Sequence, residues 1–453
     1  MQKWQEEYRS KLISAEEAAQ KVKSGDRIHF TAGREAHAVG LAIASRLGDL
    51  KGVKVLAPSP GYDFGWYDSG WEESFEITIS WPTATVQQML DERRCDINLP
   101  LIIPFGSEHE PPNVLLTEVS LPDERGFCSF GASLWTKRLE IEQVHSRGGT
   151  VIAEVNDRLI RTYGDNYIHV SEVDYFVEHL SRQGQPGTGS LGGRAIKQPE
   201  PYLKDIVANV ASLIKDGDCL QIGVGRTTEP LIRMGLLDGR KDIGFHSEAT
   251  PPGTISLVRD GVINGERKTP LPGLTLPPGK FLPAPVIVTS IGGGSREEME
   301  WVDNNPLFWL KDLLWLEDIR VIAANDNMVS INNALAIDLT GQITAESLGP
   351  RLMSVAGGQI PFAFGALLSK GGRSITVLPS TARDGSVSRI MPHLPVGTAI
   401  TLQRNIADIV VTEYGIARLR NKTIRQRCEQ LIAVAHPDFR ADLKKEAQKL
   451  YWP

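Results

Sequence analysis

A single glutamate ends the apolar run Ile243-Gly-Phe-His-Ser-Glu248 and is followed by Ala249-Thr-Pro-Pro-Gly253. A carboxylate at the C-terminal end of a strand faces the crevice in which α/β sheets bind ligands, and there it can act as a base or a nucleophile. Read alone, it also fits an exposed loop glutamate. Two glycine turns carry the complementary chemistry. Gly223-Val-Gly-Arg-Thr227 follows the strand-like Cys219-Leu-Gln-Ile222 and is expected to precede a helix. Backbone N–H groups in such a turn receive an anion or a developing oxyanion, and glycine lets a ligand approach the chain. Gly357-Gly-Gln359 offers paired glycines to a reacting carbonyl or a long ligand. The plain alternatives are a tight turn for the first segment and a turn into the helix PFAFGALLS for the second. Gly292-Gly-Gly-Ser295 reads as a loop.

Other chemistries lack their residues. A dinucleotide fingerprint needs G-x-G-x-x-G, and Glu229 to Leu231 supply no third glycine. His246 and His436 stand in no H-E-x-x-H or comparable cluster, so no metal site is expected; His436, in Ala-His-Pro-Asp-Phe-Arg440, reads as a helix-start packing element. Cys95, Cys128, Cys219 and Cys428 are scattered without a C-x-x-C pair, which fits reduced thiols in a cytoplasmic protein. A net charge of -6 argues against nucleic acid as a partner, so an anionic ligand needs a local cluster of donors. The N-terminus is too polar for a signal peptide, and no run is long and apolar enough for a membrane span.

The elements that must position Glu248 and the glycines follow from periodicity. KVLAPSP, TVIAEV, VIVTSI, VIAAN, SITVLPS and DIVVTEY read as short strands between helices, which predicts an α/β fold with mostly parallel sheets. Gln183 to Pro201 is rich in Gly, Pro and Gln and reads as a linker. The expected division is 1–190, a linker 191–201, and 202–453. The halves look duplicated: at a constant offset of 192, Val22-Lys-Ser-Gly-Asp-Arg-Ile-His-Phe-Thr-Ala-Gly-Arg34 aligns with Ile214-Lys-Asp-Gly-Asp-Cys-Leu-Gln-Ile-Gly-Val-Gly-Arg226. The first half's counterpart of the Glu248 loop, Lys51-Gly-Val-Lys-Val-Leu-Ala-Pro-Ser59, has no carboxylate. The aromatics Tyr62, Phe64, Trp66, Tyr67, Trp71 and Trp81 suit core or interface packing, or an acyl-pocket wall. The basic stretch RLRNKTIRQRC reads as a solvated helix face.

Taken together these segments resemble the acetyl-CoA hydrolase/4-hydroxybutyrate CoA-transferase family. The resemblance rests on Gly-x-Gly, His-x-Glu, Ile331-Asn-Asn-Ala-Leu-Ala-Ile-Asp-Leu-Thr-Gly-Gln342, Ala356-Gly-Gly-Gln359, Pro379-Ser-Thr-Ala-Arg383, Val411-Thr-Glu-Tyr-Gly-Ile-Ala417 and Ala435-His-Pro-Asp-Phe-Arg440. Val119-Ser-Leu-Pro-Asp-Glu-Arg-Gly-Phe-Cys-Ser-Phe-Gly131 and Glu154-Val-Asn156 extend it into the first half.

The resemblance implies two similar class I CoA-transferase domains with the active site at their interface, Glu248 as covalent CoA carrier, and a dimeric or tetrameric enzyme. It implies CoA contacts at Gly223, Val224, Gly225, Arg226, Thr227, Leu335, Ser354, Gly357, Gly358 and Arg383, the last where relatives carry lysine. Oxyanion donors would come from Val224 or Gly225 and from Gly358. Coenzyme A and acyl-CoA would be substrates, the acyl-CoA acetyl-CoA or another short-chain one, with a carboxylic acid as the second partner and no tightly bound cofactor. Departures from the family pattern at Arg226-Thr-Thr228, Ala336, Pro361 and Ala249 touch acyl specificity rather than the glutamate. Rival expectations are an acyl-CoA hydrolase on the same scaffold and a non-catalytic CoA-binding sensor.

Overall fold

A computed structural model describes residues 3–99, 111–180, 200–270 and 285–452. Two compact units emerge, Met1–Arg194 with Thr289–Leu314, and Ala195–Val288 with Trp315–Pro453. The expected linker 191–201 lies outside the described residues except for its last two positions. The single boundary read from composition does not anticipate that 289–314 groups with the first unit.

In the first unit the strands are β1 (Arg27–Phe30), β2 (Val53–Ala57), β3 (Phe75–Ile79), β4 (Asp96–Ile97), β5 (Val114–Val119), β6 (Thr150–Val155) and β7 (Tyr175–Glu178). They lie in the order β7-β6-β5-β1-β2-β3-β4, and every pairing is parallel. In the second unit they are β8 (Cys219–Ile222), β9 (Gly244–His246), β10 (Val286–Val288), β11 (Met328–Asn333), β12 (Arg373–Val377), β13 (Ile409–Thr412) and β14 (Gly415–Arg418). Their order is β14-β13-β12-β11-β8-β9-β10, with β14 antiparallel at the edge. Parallel sheets covered on both faces bury both sides of each strand, which is why β5, β8, β11 and β13 read as continuous buried runs rather than alternating ones.

Without the edge strands β4 and β14, the two orders coincide: the first strand is central, the next two lie on one side, and the later three lie on the other. The offset of 192 places β1 on β8 residue for residue. The turn before each is also built alike. Asp26 accepts from Lys23 N at 2.7 Å and Asp218 accepts from Lys215 N at 2.6 Å. Gly25 and Gly217 take φ of 82° and 81°, a left-handed conformation that glycine adopts without a Cβ penalty. An aspartate that reaches back to the N–H three residues earlier, across a left-handed glycine, explains why Gly-Asp stands in both halves.

Two sequence expectations fail locally. VIAAN is not a strand: Ile319–Ala323 forms a short helix, because the Asp318 side chain caps it by accepting from Arg320 N at 2.8 Å. RLRNKTIRQRC is not uniformly solvated. Arg427 is buried, and its guanidinium donates to the carbonyls of Thr340 and Arg404, tying the helix Ile424–Ala433 to two loops. His436 behaves as expected: its ring accepts from Asp438 N at 3.3 Å and starts the helix Pro437–Tyr451. Phe64, Trp66 and Tyr67 are buried in the core of the first unit, with Tyr62 and Trp71 packed against it. All four cysteines are free.

Candidate functional site

Every residue of β9 is buried, and the chain then runs through Ser247 to Glu248, which is partly accessible. His246 is neutral: burial first, and then the Lys268 charge, push its pKa down to about 3. Its Nε2–H therefore donates to the Leu316 carbonyl at 2.9 Å, which fixes the segment leading into Glu317. Ser247 Oγ lies 3.4 Å from both Ile222 N and Ile222 O, pinning the end of β8 to the Glu248 loop.

Glu248 is held by two partners in the same unit, the Glu317 side chain and the Gly358 backbone N–H. A Cβ on Gly358 would stand 2.5 Å from Glu317 Oε1 and 2.7 Å from Glu248 Cδ. Glycine is demanded there by space, since Gly358 has φ of -74°; its neighbour Gly357 is demanded by torsion, with φ of 52°. Gly358 caps the helix Gln359–Leu368, so the segment is a turn into that helix. Burial raises the Glu248 pKa, and the bonds from Glu317 and Gly358 partly oppose it. Burial, and then the charge of Glu248, hold the Glu317 carboxyl well above the ordinary range. Two carboxyls that share a hydrogen bond must also share a proton.

The Gly223–Thr227 loop leaves β8 immediately beside β9. It does not open a regular helix. Bonds from Glu229 N to Gly225 O at 2.9 Å and from Leu231 N to Thr228 O at 3.2 Å form successive turns of mixed length. Pro230 has no N–H to continue a ladder, and Thr227 and Thr228 are β-branched. Arg226 is exposed, Thr227 is buried, and Val224 is partly accessible. Both loop glycines are set by close approach, for a Cβ on Gly223 would overlap the Asn332 amide and one on Gly225 the Asn333 amide. Asn332 is buried and exchanges two bonds with Gln221, at 2.9 and 3.0 Å, whereas Asn333 meets Thr228 Oγ1 at 3.4 Å. Gly223→Ala is therefore expected to cost about 1–3 kcal/mol of unfolding free energy. Gly225→Ala is expected to cost less, because Asn333 is freer to yield. Denaturant midpoints of the two variants check the ranking.

Leu335 and Ser354 are brought to one strip of backbone: Leu335 N donates to Thr344 O at 2.8 Å and Ser354 N to Glu346 O at 3.0 Å. Arg383 sits exposed at the tip of a hairpin between Thr381–Ala382 and Val387–Ser388, with φ of 50°. Arg389, on the return of that hairpin, donates to the carbonyls of Leu335 at 2.8 Å and Thr381 at 3.1 Å. Glu413 accepts from both the backbone N–H and the hydroxyl of Ser380.

Sequence reasoning passed over Glu317, Arg389 and the Gln221–Asn332 pair. The last had a signal, an amide in each of two apolar strands; Glu317 had none. Among the described residues no cluster of three or more His, Cys, Asp or Glu could hold a metal, and no helix is long and apolar enough to cross a membrane.

The acetyl-CoA hydrolase/transferase C-terminal domain model matches residues 294–447. A 4-hydroxybutyrate coenzyme A transferase of Clostridium kluyveri is 37% identical over 462 residues, 99% of this chain and 100% of that protein. A butyryl-CoA:acetate CoA-transferase of Anaerostipes caccae is 31% identical over 98% of each chain. The crystal structure of RipA from Yersinia pestis superposes with a TM-score of 0.84 at 28% identity, covering 100% of both chains.

Proposed function

The chain belongs to the acetyl-CoA hydrolase/transferase family as a CoA-transferase, and from that premise we propose that it moves CoA between an acyl-CoA and a carboxylic acid through a glutamyl-CoA thioester on Glu248. The observation that carries this reading is the placement of Glu248 at the end of β9, its carboxyl gripped by the Gly358 N–H and by Glu317.

An ionised carboxylate attacks a thioester carbonyl without a separate base. The new C–O bond and the broken C–S bond leave an acyl-glutamyl anhydride and CoA thiolate. The thiolate then attacks the Glu248 carbonyl, forms a C–S bond and releases the first acid. A second acid runs the sequence in reverse. Every step passes through an oxyanion, for which Val224 or Gly225 and Gly358 supply N–H donors. Gly223, Arg226, Thr227, Leu335, Ser354, Gly357 and Arg383 are the proposed contacts to CoA. Thioester energy is conserved, so the cycle needs no nucleotide triphosphate. The acids proposed are short-chain, with acetyl-CoA as one donor.

The test is mass spectrometry of protein incubated with acetyl-CoA, searching the peptide that contains Glu248 for covalently attached CoA. The yield should fall with pH in a defined direction. The Glu248 pKa is raised from its ordinary value of 4.5, so the nucleophile is lost as pH drops through a value above 4.5. An adduct that survives in Glu248→Ala, or that forms without loss down to pH of about 4, sinks the proposal.

A further inference from the structure

Resting on the reading of Glu248 as carrier, we infer that Glu317 is a second working carboxyl of this site, a carboxylic-acid donor that grips the Glu248 carboxyl and stabilises the oxyanion formed when that carboxyl's carbon is attacked. The geometry carries the assignment. Gly358 packs against both groups so closely that a Cβ would lie 2.5 Å from Glu317 Oε1 and 2.7 Å from Glu248 Oε2. Glu317 also hydrogen-bonds Glu248 directly. An ionised carboxyl is acceptor-only, so one of the two must carry a proton. Glu317 is 5% exposed, whereas Glu248 is more open and accepts the Gly358 N–H besides. The negative charge therefore settles on Glu248 and the proton on Glu317. The upward shift of the Glu317 pKa by burial and by the Glu248 charge agrees.

Among the described residues of this unit, the titratable groups on the elements flanking the pair are engaged elsewhere. His246 is neutral and spends its N–H on Leu316 O. Lys268 donates to Phe245 O at 2.9 Å. Asp318 is paired with Arg320.

During thioester formation the CoA sulfur bonds to the Glu248 carbonyl carbon, and the carbonyl π pair moves onto oxygen. That pair then returns as the C–O bond to the departing acid breaks. Glu317 keeps its proton throughout and, like Gly358 N–H, lends only a hydrogen bond. A neutral carboxylic acid kept protonated by an apolar site serves such an oxyanion well.

Glu317→Gln keeps a donor of the same shape but removes the ionisation, and Glu317→Ala removes the donor. For Glu317→Ala, kcat is expected to fall by about 10²-fold or more, with KM for acyl-CoA within about threefold. For Glu317→Gln, kcat is expected to stay within about tenfold; the parent's rate is expected to decline at high pH, as Glu317 ionises beside Glu248, and the Glu317→Gln rate is expected to lack that decline, because no second carboxylate can form. A Glu317→Ala protein that transfers CoA within about threefold of the parent overturns the inference. So does a Glu317→Gln protein that keeps the parent's alkaline decline, and this arm stands even if Glu317→Ala does not fold. The Glu248–CoA adduct is followed in the same parent sample. Its absence overturns the carrier reading and this inference together; its presence with unaltered Glu317 variants overturns this inference alone.

Discussion

Glu248→Ala is expected to lower CoA transfer by on the order of 10⁴-fold or more, measured as acid-dependent exchange of CoA from acetyl-CoA. No neighbouring group can take its place. Glu317 bears the shared proton and is buried deeper. The duplicated half provides no substitute either. Arg27 pairs with Lys54 and Cys219 with Gly244, so four residues further along each strand Pro58 occupies the position equivalent to Glu248. Glu248→Asp should fall between the parent and Glu248→Ala, because its carboxyl retreats by about 1.5 Å from Gly358, and displacements near 1 Å cost roughly 10²-fold.

The fold should survive the loss of Glu248. Glu317 has a folded pKa raised above its unfolded value, so the stability linked to it is full below the unfolded value of 4.5 and is lost as pH rises through the folded one. Removing the Glu248 charge relieves part of that raising. The thermal midpoint of Glu248→Ala above neutral pH is thus expected to match or exceed the parent's. Transfer retained within about tenfold would show that Glu248 does no covalent work.

Gly358→Ala is expected to be nearly as damaging, with kcat reduced by roughly 10²–10³-fold and stability by about 1–3 kcal/mol. The added methyl would sit 2.5 Å from Glu317 Oε1 and 2.7 Å from the Glu248 carboxyl. Glu317 is enclosed and cannot retreat, whereas Glu248 can swing toward the opening, and in doing so it leaves both of its donors. Gly357→Ala separates the causes. It strains a φ of 52° that alanine adopts poorly, so it should lower stability more than kcat. Parallel kcat and denaturant-midpoint measurements on the two variants decide it. A Gly358→Ala enzyme with unchanged kcat would mean that the close packing of Gly358 against the two carboxyls does not hold Glu248 in its reactive place.

Local chemistry made much of this protein legible. The Gly-Asp turns, the offset of 192 and the continuous apolar strands announced duplicated parallel sheets, because turn residues and strand periodicity act over a few neighbours. VIAAN misled for the same reason in reverse: its apolar content suits a strand, and a single capping aspartate tipped it into a helix. Arg427 looked like one more surface cation until its carbonyl partners, far away in sequence, enclosed it.

Glu248 was visible in the sequence as a carboxylate at the end of a strand, and the family resemblance pointed to the role proposed for it. Its partner Glu317 was not visible, because nothing in Trp315-Leu-Glu-Asp318 distinguishes that glutamate from a surface one. Only tertiary packing sets Glu317 against Glu248, fixes Leu316 through the buried His246 ring, and seats Gly358 where no side chain fits. The sequence by itself determined the strands, the duplication and the residue types at the site. Which two carboxyls share one proton was decided by the tertiary structure, since desolvation and hydrogen bonding depend on surroundings brought together from distant parts of the chain.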